Sequence, residues 1–295
     1  MPGISDVFAR LLLRSVILLV VVVGMTGCSS LTRLYFHPKT LWLQTPDRFG
    51  VAYDDVWLTA ADGTNLHAWL LSPPEGTPKS DAVVLYLHGN AENISTHSRS
   101  IFWLVEAGYS VLALDYRGFG ASQGSARMPE VLFDVEAGAA WLANNFPDER
   151  LIVLGQSMGA ALAITFTADK GEQYGVDLVL AEAPFAGFGS VARAMLQKSV
   201  VGFLISPLTY LIPTRWDPRE KIGSVQVPVM IMHSRMDDIV PVGESEALMA
   251  ELPPEKRCFA YTQGPHIGSF RYGVYRELTL EYLVSGVCPK TRTNT

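Results

Sequence analysis

Leu151-Ile152-Val153-Leu154-Gly155-Gln156-Ser157-Met158-Gly159 passes from a solid apolar run into a serine flanked by glycines. An Ala-rich stretch from Ala160 to Ala168 follows. A short apolar run reads as a buried strand, and the Ala-rich stretch reads as a helix. A strand that turns this abruptly into a helix forces the serine into a strained backbone conformation, where bulky neighbours would collide. The turn exposes the hydroxyl, and the helix start aims unpaired N–H groups and its positive dipole end at the same point. Ser157 is therefore a candidate nucleophile.

A nucleophilic serine needs a base, and the base needs an orienting carboxylate. Downstream, Val227 to Met232 reads as another buried strand running into His233-Ser234-Arg235-Met236-Asp237-Asp238-Ile239-Val240-Pro241. Lys256 to Thr262 gives a last strand, followed by Gly264-Pro265-His266. A carboxylate thus follows one strand and a histidine the next, at the ends where open α/β sheets gather their ligands.

Upstream, Ala82 to Leu87 is a continuous apolar strand ending in His88-Gly89-Asn90-Ala91-Glu92-Asn93. Val111 to Leu114 leads into Asp115-Tyr116-Arg117-Gly118-Phe119-Gly120-Ala121-Ser122. These runs, with G-x-S-x-G and the order serine, acid, histidine, resemble the α/β-hydrolases, in particular their serine aminopeptidase-like esterase and thioesterase branch. The likeness spans roughly Ala82 to His266. It implies a Ser157–His266–Asp237 triad, because the usual run H-G-x-x-D-x-x-V-P aligned on His233 and Val240-Pro241 selects Asp237 over Asp238. Ser234 stands where that run has glycine, and Pro265 where glycine often precedes the histidine. The likeness also implies an oxyanion hole from the backbone N–H groups of Asn90 and Met158. Each such donor is worth about 2.7–4 kcal/mol to a transition state. The Asp115 to Ser122 run reads as structural, and the chemistry implied needs no cofactor.

The rest of the chain fits that fold class. Strand candidates fall at Val56–Thr59, His67–Leu71, Ala82–Leu87, Val111–Leu114, Leu151–Leu154, Leu178–Ala181, Val229–Met232 and Cys258–Tyr261. The first two alternate like an antiparallel edge, and the later ones are solidly apolar, as strands covered on both faces should be. Helical patterns lie between them at Ser95–Ala107, Pro129–Asn145, Met158–Ala168, Val242–Ala250 and Ile267–Ser285. The expectation is a mostly parallel α/β sheet of about eight strands with helices on both faces. Residues 185–221 break the rhythm with apolar helical stretches and Pro207, Pro213 and Pro218. They read as a small helical cap, either a lid that binds an acyl chain or touches a bilayer, or an insertion packed on the sheet.

The 295 residues divide into a segment 1–27, a lead-in 28–50, one α/β domain 51–289 and a tail 290–295. Arg10 and Arg14 precede an apolar run, Ser15 to Met25, too short to span a membrane. With Met25-Thr26-Gly27-Cys28 it resembles a bacterial lipoprotein signal peptide, in which Cys28 becomes the lipidated first residue; a plain N-terminal anchor helix is the alternative. Ser29 after that cysteine implies outer-membrane sorting, facing the periplasm. Export would permit a disulfide between Cys258 and Cys288, the other reading being two free thiols. Neither cysteine has metal-ligand spacing. With 23 basic against 29 acidic residues and a net charge of −6, the chain is unsuited to nucleic acid. The partners expected are a small acyl ester or thioester and, through the lipid, a membrane. The alternatives are an aminopeptidase-like serine peptidase and a lipid-anchored binding protein without turnover.

Overall fold

The computed structural model describes residues 32–289. Eight strands form one sheet: β1 (Ala52–Thr59), β2 (Asn65–Ser72), β3 (Ala82–Leu87), β4 (Ser110–Asp115), β5 (Arg150–Gln156), β6 (Val176–Glu182), β7 (Val229–Ser234) and β8 (Arg257–Thr262). Their spatial order is β1-β2-β4-β3-β5-β6-β7-β8. β1 pairs antiparallel with β2, and β2 with β4, while every later pairing is parallel. The chain winds from β3 outward to β4, then crosses back over β3 to β5. That reversal parts the loops after β3 and β5 and leaves a crevice at the carboxyl ends of the strands.

Side-chain alternation divides each central strand between two cores. In β3, Val83, Leu85 and Leu87 enter one core, and Ala82, Val84 and Tyr86 enter the other. On the first face lie α1 (Glu130–Asn145) and α2 (Met158–Lys170). On the second lie the short helical turns between Ile94 and Glu106, and the last helix, here α6 (Gly273–Ser285). The Ser95–Ala107 pattern is not one helix: an α-turn, a 3-10 turn and Phe102–Glu106 share it. Ile267–Ser285 is likewise shortened, because a loop and a 3-10 turn precede Gly273.

The interval between β6 and β7 holds α3 (Phe188–Leu196), α4 (Val200–Ile205) and a 3-10 turn, Ser206–Leu211. Asp217 accepts the Phe188 N–H at 2.9 Å, capping the start of α3. Glu244, on α5 (Val242–Glu251), accepts from the Ala186 N–H and the Ser190 hydroxyl. Phe188 and Val191 are buried, whereas Val200, Val201, Phe203, Leu204 and Leu211 stand exposed. The interval read as a cap is thus packed where α3 begins and mostly exposed from Val200 to Leu211.

Cys258 and Cys288 are bridged, joining β8 to the segment after α6. The processing site with Cys28, and the tail 290–295, lie outside the described residues. No described helix is long and apolar enough to cross a membrane.

The run Asp115 to Ser122 acts as a corner, as its sequence suggests. The buried Arg117 guanidinium grips Asp134 of α1 at 2.7–3.1 Å and reaches Asp62 at 2.7 Å. Removing one partner of such a pair strands a desolvated charge. Asp134→Ala should lower the unfolding free energy by about 3–5 kcal/mol, measured by urea denaturation.

Candidate active site

The turn after β5 is as tight as the sequence demands. Ser157 has φ +55° and ψ −115°, and its N–H is held by the Glu182 carbonyl at 2.8 Å. A Cβ on Gly155 would lie 2.2 Å from the Gly159 carbonyl oxygen, and one on Gly159 would lie 2.0 Å from that of Leu87. Both glycines are required because α2 starts in contact with the ends of β5 and β3. The Ser157 carbonyl accepts the Ala160 and Ala161 N–H groups. That leaves the N–H of Met158 among the donors a helix start cannot satisfy internally.

Three loops bring the expected side chains together. The Ser157 hydroxyl lies 2.8 Å from His266 Nε2, and His266 Nδ1 lies 2.6 Å from Asp237 Oδ2. Asp237 Oδ1 accepts the N–H groups of Ile239 and Val240 at 2.9 Å each. Burial alone would raise this carboxyl. The bonds from His233 and His266, with the positive charge available on His266, outweigh burial and hold it well below the usual carboxylate range. A depressed carboxylate stabilises the fold fully above its unfolded value of about 4, and that contribution is lost as pH falls through the lower folded value. The neighbouring Asp238 is exposed, and its carbonyl receives the Lys198 ammonium from the end of α3.

The loop after β3 is braced from several sides. Tyr116 donates to the His88 carbonyl at 2.9 Å, and His97 Nε2 lies 3.0 Å from the Ala91 carbonyl. Burial, followed by the nearby His88, pushes His97 down to about 3, which leaves it a neutral donor. The lead-in crosses the same loop. His37–Pro38 pairs in parallel with Ala91–Glu92, and the His37 N–H donates to the Asn90 carbonyl at 2.7 Å. Asn90 Nδ2 donates to the Tyr35 carbonyl, while the Tyr35 hydroxyl donates to the Phe188 carbonyl at 2.8 Å. Among the described residues, no group of three or more His, Cys, Asp or Glu side chains could hold a metal ion.

Similarity to known proteins agrees with this geometry. The profile of the family described as "Serine aminopeptidase, S33" matches residues 78–214. YfhR of Escherichia coli (strain K12) is 30% identical over 246 residues, covering 80% of this chain and 82% of that one. The chain belongs to the α/β-hydrolase superfamily. WAV2 of Arabidopsis thaliana, an α/β-hydrolase domain-containing protein, is 25% identical across 85% of both chains. The Pyrococcus furiosus esterase Pf2001 superposes with a TM-score of 0.65 at 25% identity, covering 84% of this chain and 94% of that one.

Within this α/β-hydrolase, several residues outside the Ser157–His266–Asp237 set brace it. His233 lies 3.1 Å from Asp237 Oδ2 through Nε2, with Nδ1 2.6 Å from the Ser245 hydroxyl. The Ser234 hydroxyl, at the place where glycine was expected, donates to the Gly264 carbonyl at 2.5 Å and accepts the Met236 N–H. It thereby staples the Asp237 loop to the His266 loop. Glu182, buried at the end of β6, accepts the Ser269 N–H at 2.7 Å and the Gln156 amide at 2.5 Å. Burial pushes its carboxyl up, against those bonds. Among the described residues, non-glycine positive φ occurs only at Glu92, Ser157, Ala183 and Ile267. All four border this crevice, where strain is spent on aiming side chains. Ile267 is the costliest, being β-branched, and it directly follows His266.

Glu182→Gln would turn one acceptor into a donor facing a donor, loosening the His266 loop. It should lower kcat on an ester by up to about 10²-fold with KM little changed and the circular dichroism spectrum retained.

Proposed function

We propose that this α/β-hydrolase cleaves carboxylic esters or thioesters through an acyl-enzyme on Ser157. The observation that carries the reading is the unbroken hydrogen-bond relay from Ser157 through His266 to Asp237. Neutral His266 accepts the serine proton at Nε2 while its Nδ1–H donates to the ionised Asp237. The Ser157 oxygen attacks the substrate carbonyl, and the N–H groups of Met158 and Asn90 receive the charge that develops on its oxygen. His266 then delivers the proton to the departing alcohol or thiol. Water, deprotonated by the same imidazole, hydrolyses the acyl-enzyme.

A peptidase that trims free N-termini would need carboxylates to receive the substrate ammonium. The cavity beside His266 is instead lined by Arg99, Arg271 and Arg276, with Glu92 the one acid among its lining residues. An inactive binding protein would have no use for a serine held in a strained conformation against a paired imidazole.

In the same reading Cys28 carries lipid, and the enzyme works on a membrane surface, in the periplasm at the outer membrane. The cap supports this. Ser199 to Ile212 contains no charged residue, and its exposed side chains include Val200, Leu204 and Leu208 at 81%, 72% and 56% of full accessibility. Arg193, Lys198 and Arg215 flank that apolar tip, an arrangement suited to an anionic lipid surface.

A fluorophosphonate probe should label the wild type and not Ser157→Ala. Asp237→Asn should retain the fold and lose about 10⁴-fold in kcat. A wild type that neither takes the probe nor hydrolyses p-nitrophenyl esters would defeat the proposal. Residues 32–289 should co-sediment with vesicles containing phosphatidylglycerol, and Leu204→Glu/Leu208→Glu should release them while hydrolysis of a soluble ester continues.

A further inference from the structure

Beside the relay lies a cavity of about 640 Å³, bounded by His266 and Ile267 on one side and by Thr96 and Ser100 on the other. Its position relative to the chemistry follows from the role of His266. The imidazole hands its proton to the leaving atom, so that atom sits within hydrogen-bond reach of Nε2. The leaving half of the substrate therefore extends into space that His266 borders.

The charge in this space is unusual for the molecule. The chain carries a net −6. Among the other described arginines, Arg117, Arg127, Arg150 and Arg219 pair with carboxylates, Arg193, Arg215 and Arg235 stack on aromatic rings, and Arg257 donates to backbone carbonyls. Arg99, Arg271 and Arg276 come from three different segments to line one cavity. Among the described residues, none of the three has a carboxylate within ion-pair distance. Arg276 is half-buried, with Nε donating to the Phe270 carbonyl. That bond fixes the stem and leaves its terminal nitrogens uncommitted. Arg99 rests its guanidinium 4.8 Å from the centre of the Phe49 ring. Three guanidinium groups against one acid, Glu92, in the same lining leave an excess of positive charge that an entering anion would balance. Guanidinium forks match the paired oxygens of phosphate better than any other side chain does.

We propose that this cavity binds a phosphate group on the leaving half of the substrate. The substrate class becomes esters or thioesters whose alcohol or thiol carries phosphate, either a soluble phosphorylated carrier or the glycerophosphate of a lipid. The inference rests on the hydrolase reading above and adds the identity of the departing half. Arg99 and Arg271 are exposed, so they also steer the anion inward from the mouth, a contribution that salt screens.

The test compares substrates that share one acyl group. S-Butyryl-4′-phosphopantetheine and S-butyrylpantetheine differ only in the phosphate of the thiol, and dibutyryl glycerophosphate with phosphate-free dibutyrylglycerol makes the lipid arm. Wild type should favour at least one phosphate-bearing member by roughly tenfold or more in kcat/KM, and the favoured arm identifies the source. That ratio should fall toward one in Arg99→Gln/Arg271→Gln, whose exposed side chains the fold does not need, and in Arg276→Gln. Added salt should erode it in wild type. A wild-type ratio of one or below in both arms would overturn the inference, as would ratios that survive in both variants. Hydrolysis of the neutral thioester with no preference would sink only the phosphate site. Absence of all turnover and of fluorophosphonate labelling would sink the hydrolase reading itself.

Discussion

The contact on which the site depends is the one between the start of α2 and the ends of β3 and β5. Two glycines let backbone meet backbone there, with no room for a single methyl group at either position. Once the helix is pressed so close, the intervening residue has nowhere to go but the left-handed region, and Ser157 is lifted out of the sheet. The buried, small-residue face of α2 (Ala160, Ala161 and Ala163) extends the same close packing along the strands. Catalytic exposure of the hydroxyl is thus a by-product of packing density, maintained by the hydrophobic core that clamps the helix down.

Around that fixed point the protein adds constraints in layers. The Asp237 carboxylate is saturated by two backbone N–H groups and two imidazoles, which leaves it neither free to rotate nor ready to take a proton. Ser234 and Glu182 then tie the loops that carry the acid and the base to each other and to the sheet. Preorganisation of this kind lowers the reorganisation required when charge moves through the relay.

The fold and Ser157 were legible in the sequence from strong local signals, whereas the choice of Asp237 over Asp238 came from the family resemblance. Solid apolar runs marked strands covered on both faces, and glycines marked the turn. The supporting residues were not legible, for different reasons. His233 reads as an ordinary strand-end histidine, and its contact with Asp237 depends on a loop turning back within four residues. Glu182 looks like a surface acid at a strand end, yet Ser269 meets it from 87 positions away. The Ser95–Ala107 pattern was apolar at helical spacing, but the helix that Asn93 caps ends at His97, and a 3-10 turn at Ser98–Ile101 separates it from Phe102–Glu106. The pairing of His37–Pro38 with Ala91–Glu92 involves two residues a side, too few to leave any periodicity. Of the three cavity arginines, Arg271 and Arg276 are close in sequence, but only the fold brings Arg99 to them.

Tyr35 has a mechanical consequence. Its backbone carbonyl holds the Asn90 side chain, and its hydroxyl holds the base of the cap at Phe188. One aromatic residue is therefore a crossbar between the start of α3 and the loop after β3. Displacing Tyr35 would therefore disturb both attachments at once.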